Sequence, residues 1–197
     1  MTTEPPIAIT VIGGYLGAGK TTLLNRLLAK SSHQRIGVVV NDFGELGIDA
    51  ALLRSAVDAI DGGDDGAVPI VNLANGCVCC TLGDDLRATL EVLRSTDPPL
   101  DHIVIEASGV ADPTTAAAWG TVPGFAPGGV IVLAAADSVM RSARDRYVGS
   151  EVVRQLVGAD LVLVTKTDLV DAQRRSEVVA WLEGVTAAPI QATPLDE

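Results

Sequence analysis

The stretch Gly14-Tyr15-Leu16-Gly17-Ala18-Gly19-Lys20-Thr21 constrains this chain more than any other, because it satisfies the pattern G-x-x-x-x-G-K-S/T in full. It follows the apolar run Ile7–Ile12 and opens Thr21–Lys30, where Leu23, Leu24, Leu27 and Leu28 recur at helical spacing. Strand, glycine loop and helix in that order let successive N–H groups form an anion nest at a helix N-terminus. Gly14, Gly17, Ala18 and Gly19 supply that backbone, and Thr22 continues the helix. Lys20 puts a full charge beside the β- and γ-phosphates of a nucleotide, and the Thr21 hydroxyl suits Mg²⁺. An ordinary glycine-rich turn explains the glycines but not Lys20-Thr21 in register.

The rest of the chain reads as alternating strands and helices. Ile36–Val40, Pro69–Leu73, His102–Ile105, Val130–Ala134, Leu161–Val164 and Ala188–Ala192 have strand character. Asp84–Arg94 and Ala172–Leu182 have helical spacing, and a shorter helix is expected over Ala50–Ala59. Asn41–Asp49 reads as a loop, Asp61–Gly66 as a flexible turn cluster, and Trp119–Gly129 as a long connection. Aromatics make up only 3% of the chain against 48% hydrophobic residues, so the interior is packed mainly with aliphatic side chains. That pattern predicts an α/β protein with a mostly parallel sheet flanked by helices, the P-loop NTPase fold. The 197 residues fit a single domain spanning 1–197.

A net charge of −11, with Lys and Arg scattered, argues against nucleic acid or an anionic membrane as a partner. No apolar run reaches transmembrane length, and Met1–Pro6 does not resemble a signal peptide, so a cytoplasmic protein is expected.

Three further stretches carry chemistry. Thr165-Lys166-Thr167-Asp168 follows a strand, and a carboxylate at Asp168 suits the N1–H and 2-amino donors of guanine, which adenine lacks. The Lys166 stem can lie on the base, and the bland reading of the segment is a polar cap. Glu106 ends a strand and precedes Ser108-Gly109; such an acid can hold Mg²⁺ through water, with the Gly109 N–H within reach of the γ-phosphate. Asn41-Asp42-Phe43-Gly44-Glu45 carries two acids that could close over the same ion, though a plain turn looks much the same. No residue stands out for positioning the attacking water.

All three cysteines fall in Gly76-Cys77-Val78-Cys79-Cys80. Thiolates suit Zn²⁺ and other late transition metals. An extended stretch turns Cys77 and Cys79 to one face and Cys80 to the other, so a metal site needs a loop and a fourth ligand; Asp42 and Glu45 are named on sequence context alone. Buried free thiols and a redox pair are the alternatives. His102 suits packing at a strand start, and His33 sits in a polar turn.

Gly13 through Asn25, Asn41–Glu45, Asn75–Cys80, Glu106–Gly109 and Thr165–Asp168 together resemble the CobW-type GTPases, relatives of the nickel-insertion GTPases, in order and spacing. The resemblance implies a GTP-hydrolysing metallochaperone or metal insertase. GTP and Mg²⁺ would favour a state holding Zn²⁺ or Co²⁺ at Cys77, Cys79 and Cys80. Hydrolysis would then release the ion to a client metalloprotein or a cofactor-biosynthesis enzyme. The competing readings are a nucleotide-gated metal store or sensor with negligible turnover, and a P-loop kinase or ATPase with an incidental cysteine turn, against which Thr165–Asp168 argues. Members of the family usually continue into a C-terminal domain and often carry a His-rich stretch, and neither is found in these 197 residues.

Overall fold

The computed structural model describes residues 5–31, 34–40, 70–72 and 82–192. Its elements run β1 (Ile7–Gly14), α1 (Lys20–Lys30), β2 (Ile36–Val40), β3 (Ile70–Asn72), α2 (Leu82–Arg94), β4 (His102–Glu106), α3 (Pro113–Ala117), a 3₁₀ turn (Ala118–Thr121) and β5 (Phe125–Ala135). They continue through α4 (Val139–Ala143), α5 (Gly149–Val157), β6 (Leu161–Thr165), a second 3₁₀ turn (Thr167–Leu169), α6 (Ala172–Glu183) and β7 (Ile190–Gln191). Among the described residues the seven strands follow the hydrogen-bonded order β3-β2-β4-β1-β5-β6-β7. Non-consecutive neighbours such as β2 and β4 require crossovers, as expected of a parallel α/β sheet.

Backbone contacts divide the chain into two compact units that alternate along the sequence. The first comprises Met1–Thr10, Thr21–Glu106 and Ala118–Gly128. In it β2 pairs in parallel with β3 and with β4, register Val38↔Ile70 and Val38↔Val104. All five residues of β2 are buried, which is why its sequence is a continuous apolar run rather than an alternation. Helix α1 buries Leu24 and Leu28, and α2 buries Leu86, Leu90 and Leu93. Each such leucine contributes about 1.5–3 kcal/mol of hydrophobic stabilisation.

The second unit comprises Val11–Lys20, Ala107–Ala117 and Gly129–Glu197. Here β5, β6 and β7 pair in parallel, with Val132↔Val162 and Val162↔Ile190 in register. Its core gathers Val130, Val132 and Ala134 of β5, Val152 and Leu156 of α5, Val162 and Val164 of β6, and Val178 and Leu182 of α6. Helix α6 starts where the Asp171 carboxylate accepts the Arg174 N–H, an N-cap. Helix α3 starts where Asp112 accepts the N–H of Thr114 at 3.0 Å and its hydroxyl at 2.6 Å, with Pro113 in the first helical position.

One expectation is corrected. Trp119–Gly129 is not a connection throughout, since β5 begins at Phe125. The glycines there serve close approach: a Cβ on Gly128 would stand 2.6 Å from Thr10 Oγ1 and 2.8 Å from Ile9 O. Helices α3, α4 and α5 were not expected from the sequence. The loop over Asn41–Asp49, the helix over Ala50–Ala59 and the turn cluster Asp61–Gly66 lie outside the described residues.

Candidate functional site

The second unit holds the phosphate loop. β1 ends at Gly14, and α1 opens at Lys20 six positions later. Between them the chain makes a turn in which the Ala18 N–H donates to Tyr15 O at 3.0 Å. Gly14, Gly17 and Gly19 have φ of 131°, 73° and 95°, values that a side chain disfavours. The Lys20 ammonium is folded back over this turn and donates to Gly14 O at 2.9 Å. The lysine is only 8% exposed, so its charge is held inside the loop. Such a loop is preorganised for an anion: the positive charge and the helix N-terminus are in place, and binding costs little rearrangement.

The base-recognition candidates lie in the same unit. Thr165 closes β6, is 1% exposed, and its hydroxyl donates to Ala18 O at 2.7 Å. This bond fastens the end of β6 to the phosphate loop. Lys166 follows in the left-handed conformation, φ 54° and ψ 37°, and its ammonium lies 4.0 Å from Asp137 Oδ2. The sharp backbone reversal at Lys166 leads into the 3₁₀ turn that carries Asp168, which is exposed. Gly109 also belongs here and is buried. A Cβ on it would sit 2.7 Å from Leu16 Cδ2 and 2.8 Å from Leu16 N, so the turn after β4 rests directly on the phosphate loop.

The first unit holds the candidate Mg²⁺ ligands. Thr21, in the first turn of α1, donates through Oγ1 to Glu106 Oε1 at 2.9 Å. Glu106 ends β4 and is 5% exposed, so its carboxylate is fixed rather than solvated. The Thr21 proton is committed to the carboxylate, which leaves the hydroxyl lone pairs available as acceptors or ligands. A hydroxyl and a carboxylate are both hard oxygen donors of the kind Mg²⁺ takes, so these residues fit the ion. Thr22 stands exposed beside them on α1.

Asp42, Glu45, Cys77, Cys79 and Cys80 lie outside the described residues. Among the described residues no group of three or more His, Cys, Asp or Glu side chains could hold a metal ion. His102 sits at the start of β4, its Nε2 2.8 Å from Thr10 Oγ1, and burial lowers its pKa from the ordinary 6.5. That is a packing role, as its position in the sequence implies. Sequence reasoning missed Gln155 of α5, which is 1% exposed and bonds the turn after β4. The available signal was one amide at helical spacing among the apolar Val152, Leu156 and Ala159.

The sheet and the glycine loop closed by its own lysine define the class of P-loop nucleotide-binding folds. A family model described as CobW/HypB/UreG, nucleotide-binding domain, matches residues 8–190, and the chain belongs to that family. Over 189 residues it is 35% identical to the zinc chaperone CobW of Sinorhizobium sp, covering 84% of this chain and 52% of that protein. A stretch of 112 residues is 40% identical to the zinc chaperone YjiA of Escherichia coli strain K12, covering 55% of this chain and 32% of that one. The crystal structure of Zn(II)-bound YjiA GTPase from E. coli is similar with a TM-score of 0.68 and 26% identity, over 96% of this chain and 58% of the other. The chain thus spans about half the length of the curated relatives it matches.

Proposed function

We propose that this chain binds GTP with Mg²⁺, hydrolyses it, and couples that hydrolysis to the handling of a transition metal. The single observation that carries the reading is the preformed phosphate loop, with Lys20 held on Gly14 O and Ala18 fastened to Thr165. Gly14, Gly17, Ala18, Gly19, Lys20, Thr21 and Thr22 hold the phosphates, and Lys20, Glu106 and Gly109 stabilise the charge that develops on the γ-phosphoryl group. Thr165, Lys166 and Asp168 read guanine. Thr21 and Glu106 hold Mg²⁺, with Asp42 and Glu45 completing the shell when GTP is bound.

Zn²⁺ or Co²⁺ is the cargo, held by Cys77, Cys79 and Cys80, and a client metalloprotein or cofactor-biosynthesis enzyme receives it. Relatives named zinc chaperones support the zinc reading. A cytoplasmic location belongs to the same proposal; no helix among the described residues is long and apolar enough to cross a membrane. Residues 1–197 act as the nucleotide-binding domain. The test is a Zn²⁺ titration of the protein with a non-hydrolysable GTP analogue, with GDP and with no nucleotide. If GTP and the metal favour the same state, each strengthens the other's binding, so Zn²⁺ binds tightest with the analogue. Equal Zn²⁺ affinity in all three overturns the coupling, and Zn²⁺ binding that survives replacement of the three cysteines by serine overturns the cysteine site.

A further inference from the structure

The turn after β4 is held from behind by α5. Gln155 Nε2 donates to Gly109 O at 3.1 Å and to Ala111 O at 2.8 Å. Both neighbours are acceptors, so the amide orientation is forced: the nitrogen faces the turn and Oε1 faces away. Gln155 Oε1 is buried and has no hydrogen-bond partner among the described residues. A buried amide oxygen without a partner costs stability, so a glutamine at this place is not explained by packing. Leucine would serve a purely apolar core better.

The surroundings point the same way. Arg154 Nε lies 3.5 Å from Asp112 Oδ2, and a Cβ on Gly158 would stand 2.6 Å from Thr114 Cγ2. Helix α5 is therefore seated along the whole segment from Gly109 to Thr114. The other side of that segment rests on the phosphate loop, where Gly109 leaves no room for a Cβ against Leu16. Gln155 also lines a cavity of about 20 Å³ with Tyr15, Leu16 and Ala18 of the phosphate loop.

We propose that Gln155 is a positioning residue for the γ-phosphate: by holding the Gly109 and Ala111 carbonyls it fixes the Gly109 peptide against the phosphate loop. It touches no substrate itself. The proposal rests on the reading that the Gly109 N–H meets the γ-phosphate. A nucleotide that lacks this phosphate does not sense the latch. Gln155 therefore matters for GTP and not for GDP.

The test uses Gln155→Leu and Gln155→Glu in the full chain, with Gly109→Ala as a control for the underlying reading. Loss of a positioning contact of this kind lowers turnover by about 10- to 100-fold. Gln155→Leu is expected to lose that much in kcat and in affinity for a non-hydrolysable GTP analogue, with GDP affinity within about twofold of the parent protein. A carboxylate at 155 faces two carbonyls and cannot donate, whereas its protonated form donates one bond. Gln155→Glu therefore regains turnover relative to the parent as the pH is lowered from about 8 to 6. Parental kcat in Gln155→Leu overturns the proposal, as does a parallel loss of GDP and GTP-analogue affinity, or a pH-independent ratio of Gln155→Glu to parent. If Gly109→Ala leaves both affinities unchanged, the reading of Gly109 fails instead.

Discussion

The hydroxyl of Thr21 donates its proton to Glu106 Oε1 at 2.9 Å, joining the first turn of α1 to the end of β4. Eighty-five positions separate the two residues in sequence. The bond fixes the two oxygens against each other. Glu106→Gln keeps the size of the side chain but removes its charge, and Thr21→Ala removes the hydroxyl. Each is expected to raise the Mg²⁺ concentration for half-maximal phosphate release by about 10- to 100-fold. The check is phosphate release over a Mg²⁺ series at saturating GTP. An unchanged Mg²⁺ requirement in both variants removes the pair from the ion.

Gly109→Ala tests how closely the turn after β4 sits on the phosphate loop. The added methyl would stand 2.7 Å from Leu16 Cδ2 and 2.8 Å from the Leu16 backbone nitrogen. Leu16 is 62% exposed, so its side chain can swing away, but its backbone cannot. A destabilisation of about 1–3 kcal/mol is expected from such overpacking, and Leu16→Ala in the same chain should relieve only part of it. Urea unfolding without nucleotide measures this. Full relief by Leu16→Ala would mean that the side chain alone makes the contact.

Asp168 stands exposed in the middle of the 3₁₀ turn that follows β6, beyond the reversal at Lys166. Asp168→Asn is expected to weaken GTP by about tenfold or more, since an unmatched polar group costs roughly 1–3 kcal/mol. Xanthosine triphosphate, which presents an acceptor where guanine has its 2-amino group, should bind the variant better than it binds the parent. Competition against a fluorescent GDP analogue reads both. Parental selectivity in Asp168→Asn would place guanine recognition elsewhere.

His102 gives the fold a pH dependence of calculable direction. Burial lowers its pKa in the folded protein below the ordinary 6.5. Below about pH 6.5 the unfolded chain takes up a proton that the folded chain resists. Stability is thus fully present above 6.5 and declines as pH falls through the lowered folded value. His102→Gln removes this contribution. Urea midpoints at pH 7.5 and 5.5 should converge more on the variant than on the parent, which should lose additional stability at the lower pH. Equal losses in the two proteins would assign the acid sensitivity to other groups.

Much of this architecture is legible in the amino-acid sequence, and the exceptions have physical causes. β2 and β6 are short runs dominated by Val, Ile and Leu and flanked by polar residues, and both appear within a residue of their expected limits. Helix α5 escaped notice because it lacks the usual opening: Val148 occupies the N-cap and makes no side-chain cap bond. Its entry is shaped instead by Asp145, which accepts the N–H of Tyr147 at 2.8 Å and of Val148 at 3.2 Å. The start of β5 was hidden by Pro127-Gly128-Gly129, residues that usually mark turns but here permit the chain to lie close to Thr10 and Ile9. The phosphate loop and the strand-end acid were readable because their chemistry is local. Gln155 was not, because its partners Gly109 and Ala111 are 46 and 44 positions away.

The bond from the Thr165 hydroxyl to Ala18 O has a consequence for the order in which the protein is completed. Its two ends are 147 positions apart. During synthesis the glycine loop emerges early, yet its fastening is not available until the chain has been made through β6. A nascent chain halted before Thr165 should carry the loop's sequence without its grip, and nucleotide capture should begin only once that distant hydroxyl has left the ribosome.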